Sequence, residues 1–121
     1  PGGEPLGVAP GLSSALDRSL DELQTWTAAN PRDASAWKAL AQLWAGKGWE
    51  MRAARAEAES RYAVGDLRGA IDRLRAAQKL ERAAVAADPI EASVVDARAR
   101  TLEAEWRVKL AESRRGRDPA Q

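Results

Sequence analysis

The sequence predicts an all-α fold: a short stack of antiparallel helix hairpins, about five helices in all, with a long C-terminal helix. Three observations predict it. Ala is heavily used, Phe is absent and five Trp carry most of the aromatic bulk, a mixture that suits helices packed closely through small residues. β-Branched residues are too sparse for a sheet protein. Apolar residues recur at spacings of three and four along most of the chain, which puts them on one helix face. At 121 residues the chain is one domain's worth, able to bury a core of modest size.

The opening "PGGEPLGVAPGL" (1–12) is rich in Gly and Pro and reads as a flexible linker. Pro rather than Met stands first, so the expectation is a processed or excised piece of a longer protein, with another domain ahead of the linker. The folded domain is expected over 13–114. A first helix runs from Ser13 or Ser14 to Ala29, with Leu16, Leu20, Leu23 and Trp26 on one face. "NPRD" (30–33) stops it, because the residue before Pro31 is pushed out of the α region. Asp33 can cap the second helix, whose apolar face is Trp37, Leu40, Ala41 and Trp44. "GKG" (46–48) ends that helix.

A third helix, from about Trp49 to Val64, turns mostly alanines inward: Ala54, Ala58 and also Tyr62. At "GD" (65–66), Gly65 can take the left-handed conformation that ends a helix and Asp66 can cap the next. The fourth helix, Leu67 to about Ala86, presents Ala70, Ile71, Leu74, Ala77 and Leu80. "DPIE" (88–91) combines a cap, a Pro at the first helical position and an acid in the first turn. The fifth helix then runs from Pro89 to about Arg114 with Val95, Ala99, Leu102, Trp106 and Leu110 on one side. Trp106 and Leu110 are expected beyond the reach of hairpins of ordinary length, so they become a candidate contact for a second copy, another domain or a client. The tail, 115–121, should be disordered.

The spacing of Trp37, Leu40, Ala41, Trp44 and Gly48 resembles the first half of a tetratricopeptide repeat. Ala58, Tyr62, Gly65-Asp66, Ala70, Leu74 and Ala77 match its second half, and Pro31 sits where a preceding repeat would end. The physics of that spacing is direct. Large residues fill the hole between paired helices, small ones mark their closest crossing, and Gly closes the turn. The two matches are offset by about half a repeat, so the third helix must serve both. Glu57 and Ser60 depart from the pattern. The resemblance implies a right-handed stack and a groove lined from the first helix of each pair. Here those positions are Ser35, Lys38, Gln42 and Ala45, then Arg52, Arg55, Glu59 and Tyr62. Lys38, Arg52 and Arg55 could bind a peptide carboxylate. Lys38 and Gln42 are similar to the Lys-x3-Asn of a carboxylate clamp, with Gln in place of Asn. The alternative for each charged residue is a solvated face.

A closer resemblance lies in "NPRDASAWKALAQLWAGKG", "RAEAESR", "AIDRLRAAQ" and "IEASVVDARAR". Over roughly residues 20–110 these are similar to the C-terminal repeat region of periplasmic zinc metallopeptidases of the BepA (β-barrel assembly-enhancing) type. The resemblance implies a non-catalytic domain that holds protein clients or assembly machinery near a protease domain, in the periplasm. That family's zinc site is an H-E-x-x-H motif, and this chain has no His.

Other chemistry finds little footing. With neither His nor Cys, thiol catalysis, disulfides and ordinary zinc sites are excluded. Glu57 and Glu59 do not face each other on a helix, no calcium-loop spacing occurs, and "GVAPGL" lacks the Lys of a phosphate loop. No enzyme activity, cofactor or small-molecule substrate is expected of the chain by itself. No run reaches membrane-spanning length. Formal charge is only +1, but Arg107 to Arg117 holds five bases and one acid. That end is either a solvated helix terminus with cations suited to its dipole, or a nucleic-acid or acidic-surface contact. Two alternatives to the protease-linked reading therefore stand: a free-standing cytoplasmic repeat adaptor, and a binder acting through the basic end.

Overall fold

A computed structural model of the chain describes residues 10–80 and 86–116. Among these residues it is all-helical, with five helices: α1 (Pro10–Ala29), α2 (Ala34–Gly46), α3 (Glu50–Ala63), α4 (Leu67–Gln78) and the long α5 (Pro89–Gly116). Each helix packs chiefly on its neighbour in sequence, giving a stack of antiparallel hairpins.

The turns follow from local chemistry. Gly48 and Gly65 both have positive φ, 79° and 87°, and are the only described residues that do. In each turn the next amide returns to the helix just ended: Trp49 N to Trp44 O at 2.9 Å, and Asp66 N to Arg61 O at 2.9 Å. These bonds satisfy carbonyls that the helix end would otherwise leave open. Asp66 then caps α4 through Gly69 N at 2.9 Å, and Asp33 caps α2 through Ala36 N at 3.0 Å. Trp49 precedes α3 without a side-chain cap.

Two cores lie on either side of α3. One gathers Leu20, Trp37, Leu40, Ala41, Trp44, Ala53 and Ala56 from α1, α2 and α3. The other gathers Met51, Ala58, Leu67, Ala70, Ile71, Leu74, Ala77, Val95, Ala99 and Leu102 from α3, α4 and α5, with Ala54, Tyr62 and Trp106 half-buried against it. Helix α3 therefore packs on both sides, against α2 and against α4. Its alanines face two ways, so its sequence shows little amphipathic contrast.

Several boundaries differ from expectation. Helix α1 starts at Pro10 rather than Ser13, since the first turn of a helix needs no N–H from its proline. The expected linker is thus helical at 10–12, and residues 1–9 lie outside the described residues. Helix α4 ends at Gln78, not Ala86. Lys79 and Leu80 bond back three residues, to Ala76 O and Ala77 O, and the chain turns with no Gly or Pro to mark it. Residues 81–85 lie outside the description, as does 117–121 of the expected tail, whose Arg115 and Gly116 are helical. Trp26, expected on the inner face of α1, is 51% exposed. Thr27 takes the inward place, and the Trp26 indole instead donates to Asp33 Oδ2 at 2.8 Å.

Candidate interaction surface between α3 and α5

The side chains read as a groove on α3 point at α5. Arg52 Nε donates to Asp88 Oδ2 at 2.7 Å, and Arg55 Nε donates to Glu91 Oε1. Glu59 accepts two bonds from Arg98, at 2.8 and 3.0 Å. The Tyr62 hydroxyl donates to Glu105 Oε2 at 2.8 Å, with the Arg98 guanidinium 4.8 Å from its ring centre. The partners ascend together, 52–88, 55–91, 59–98 and 62–105, so α3 and α5 run parallel. Backbone contact between the two helices is sparse. The rungs between them are polar side chains.

Electrostatic effects accompany the contacts of Arg52, Arg98 and Tyr62. The Arg52 guanidinium holds the Asp88 carboxyl below its ordinary range, and Asp88 in turn raises Arg52. Glu59 raises Arg98. The hydrogen bond to Glu105, helped by desolvation, pushes the Tyr62 phenol up. Asp88 has a second task. Its Oδ1 accepts Glu91 N at 3.3 Å, so the residue that caps α5 also ties it to α3.

At the start of α3 the arginines lie over aromatic faces. Arg52 is 5.3 Å from the Trp49 ring and 5.9 Å from Trp44, Arg55 is 5.7 Å from Trp44, and Lys47 is 5.5 Å from Trp49. Trp44 is 1% exposed and its indole N–H has no acceptor among the described residues. Trp49, by contrast, is 46% exposed. It borders an open hollow of about 560 Å³ that Met51, Arg52 and Asp88 also line. A second hollow, about 480 Å³, lies at the other end of the ladder and is lined by Tyr62, Glu59, Arg98, Glu105 and Lys109.

The groove expected from the sequence is thus divided. Arg52, Arg55, Glu59 and Tyr62 are brought together, but the carboxylates that the arginines clamp are the chain's own Asp88 and Glu91. They are not free for a peptide terminus, because α5 already supplies the anions. Lys38 and Gln42 are exposed on α2 without a hydrogen-bond or ion-pair partner among the described residues. Trp106 is not beyond the reach of the hairpin: it is half-buried on the second core, and Arg68, from the first turn of α4, lies 5.8 Å from its ring. Antiparallel packing brings the start of α4 alongside this part of α5. Leu110, one turn on, is half-buried.

Sequence reasoning missed the α5 half of the ladder. Asp88 and Glu91 were legible only as a helix start. Glu91, Arg98 and Glu105 recur every seven residues beside the Val95–Leu102 face, and that period was the available signal. Among the described residues no group of His, Cys, Asp or Glu could hold a metal ion, and no helix is long and apolar enough to cross a membrane. Compared with protein-family profiles, curated proteins and solved structures, the chain finds no match.

Proposed function

We propose that this chain is a non-catalytic protein-interaction domain that holds a protein or peptide partner close to a larger assembly. The observation that carries the reading is Trp49. It stands half-exposed beside two cations, Lys47 and Arg52, and borders the larger hollow next to the first rung of the α3–α5 ladder. Trp and Arg on a preorganised wall are the usual anchors of a protein interface. Lys38 and Gln42, exposed on α2, remain candidate contact residues. The absence of His and Cys supports a role without catalysis.

Panning a random peptide library against the folded chain tests this reading. Enriched peptides should lose at least tenfold in affinity with Trp49→Ala, while helical content stays unchanged, the ordinary scale for an interface anchor. Failure to enrich any peptide, or binders indifferent to Trp49, overturns it. The proposed setting, beside a zinc-peptidase domain in the periplasm, rests on the sequence resemblance alone. An H-E-x-x-H motif and a secretion signal in the reading frame upstream of Pro1 are its test, and a frame without them removes that part of the proposal.

A further inference from the structure

The face of α5 turned away from α4 is not the polar surface that an amphipathic helix ordinarily shows to water. Ile90, Val94 and Val108 are 78%, 40% and 57% exposed, and Ala97, Thr101 and Ala104 between them are exposed too. Scattered surface apolar residues need no explanation. These six are not scattered. They fall at 90, 94, 97, 101, 104 and 108, alternating steps of four and three, which is the heptad seam of a coiled coil. Val94, Thr101 and Val108 occupy its a positions; Ile90, Ala97 and Ala104 occupy d. The inward face of the same helix carries Val95, Ala99 and Leu102, so α5 is apolar on two opposite sides.

The charges beside the seam choose the occupant. Arg100 and Arg107 hold consecutive g positions; Glu105 and Glu112 hold the e positions of the heptads that follow. In a parallel pair of α5 helices, g of one copy meets e of the next heptad in the other. Arg107 then meets Glu112, Arg100 meets Glu105, whose Oε2 also accepts from Tyr62 of its own chain, and the two-fold axis repeats both pairs. In an antiparallel pair g meets g, setting Arg against Arg. Arg100, Arg107 and Glu112 are exposed and have no ion-pair partner among the described residues.

We infer that α5 binds α5 of a second copy of this chain, in parallel, through the Ile90–Val108 seam. Helix α4 lies on the far side of α5 and leaves the approach open. Helix α3 lies toward the e side only, and the two-fold places it against the partner's uncovered g side. The seam shares no residue with the lining of the Trp49 hollow, so each has its own test.

The chain has no cysteine, which makes the test clean. In a parallel two-fold dimer each a residue faces its own copy. Val108→Cys should therefore cross-link to a covalent dimer under mild oxidation. Val64→Cys, on a residue 70% exposed in the α3–α4 turn, should not. In an antiparallel pair Val108 lies opposite the far end of the seam, and no such cross-link forms. Sedimentation from micromolar to millimolar concentration should show a wild-type dimer, weakened at least tenfold by Val94→Glu with helical content retained. If Val94→Glu unfolds, the surface substitution Arg107→Glu serves instead. It should weaken the dimer, and mixing it with Glu112→Arg should restore association. A wild-type monomer throughout, a dimer indifferent to these changes, or equal cross-linking at Val64 and Val108 overturns the inference, and a different protein or a following helix then becomes the occupant to seek.

Discussion

Removing the cation from the Arg55–Glu91 rung should be among the most damaging single changes to this fold. The two side chains are 18% and 6% exposed, and Glu91 as a residue is 5% exposed. Arg55→Met keeps most of the aliphatic stem but leaves the carboxylate buried without its partner. Breaking a buried ion pair in this way costs about 3–5 kcal/mol. A domain of this size has roughly 5–15 kcal/mol in total, so the loss should lower the thermal midpoint by more than about 10 °C. The companion change Glu91→Leu removes the second charge, and the double variant should recover most of the loss, because an apolar pair of similar volume is often as stable as the ions. Chemical denaturation of wild type, both singles and the double closes the cycle. A cost below about 1 kcal/mol for Arg55→Met would mean that water reaches Glu91 and the rung is a surface pair. A double variant as unstable as the sum of the singles would refute the argument from desolvation.

Trp37→Ala should destabilise by about 3–5 kcal/mol in the same assay, since the residue is 9% exposed in the first core and its indole N–H donates to Pro31 O at 3.0 Å. A cost under about 1 kcal/mol would show that the α1–α2 face is loosely packed. Tyr62 is the only tyrosine, so phenolate absorbance reports it alone. Its midpoint should lie above the ordinary value of about 10, and Glu105→Gln should bring it down. The sign follows from linkage: a raised phenol pKa adds stability that is complete below the unfolded value and lost as pH rises through the folded one. Equal midpoints in the two proteins would remove Glu105 as the cause.

Much of the fold was legible because its signals are local. Gly48 and Gly65 mark turns through a conformation that other residues rarely adopt, and Asp33 and Asp66 cap through bonds three residues away. Trp37, Leu40, Ala41 and Trp44 could be placed in the core because their spacing allows one shared face. The end of α4 at Gln78 carried no such signal: an alanine-rich helical pattern continues past it. Trp26 was misplaced because periodicity counts it as apolar, whereas its N–H found Asp33 across the turn. The ladder shows the deeper limit. The resemblance to a tetratricopeptide repeat implied one lining face of α3 with Arg52, Arg55, Glu59 and Tyr62, but their partners lie 36 to 43 residues onward. Periodicity says which face a residue occupies, not what stands opposite. Trp106 was misjudged for the same reason.

Helix α3 gives Ala53 and Ala56 to one core and Met51 and Ala58 to the other. Neither hairpin can open at that helix without exposing the apolar surface that the other shares, so the two halves do not behave as separable thermodynamic units. Protection of the α3 amides should therefore approach the free energy of global unfolding, while α1, held from one side, opens locally at lower cost. A stack that resembles a row of interchangeable hairpins is in this respect one cooperative body, and a partner that grips any part of its middle stabilises all of it.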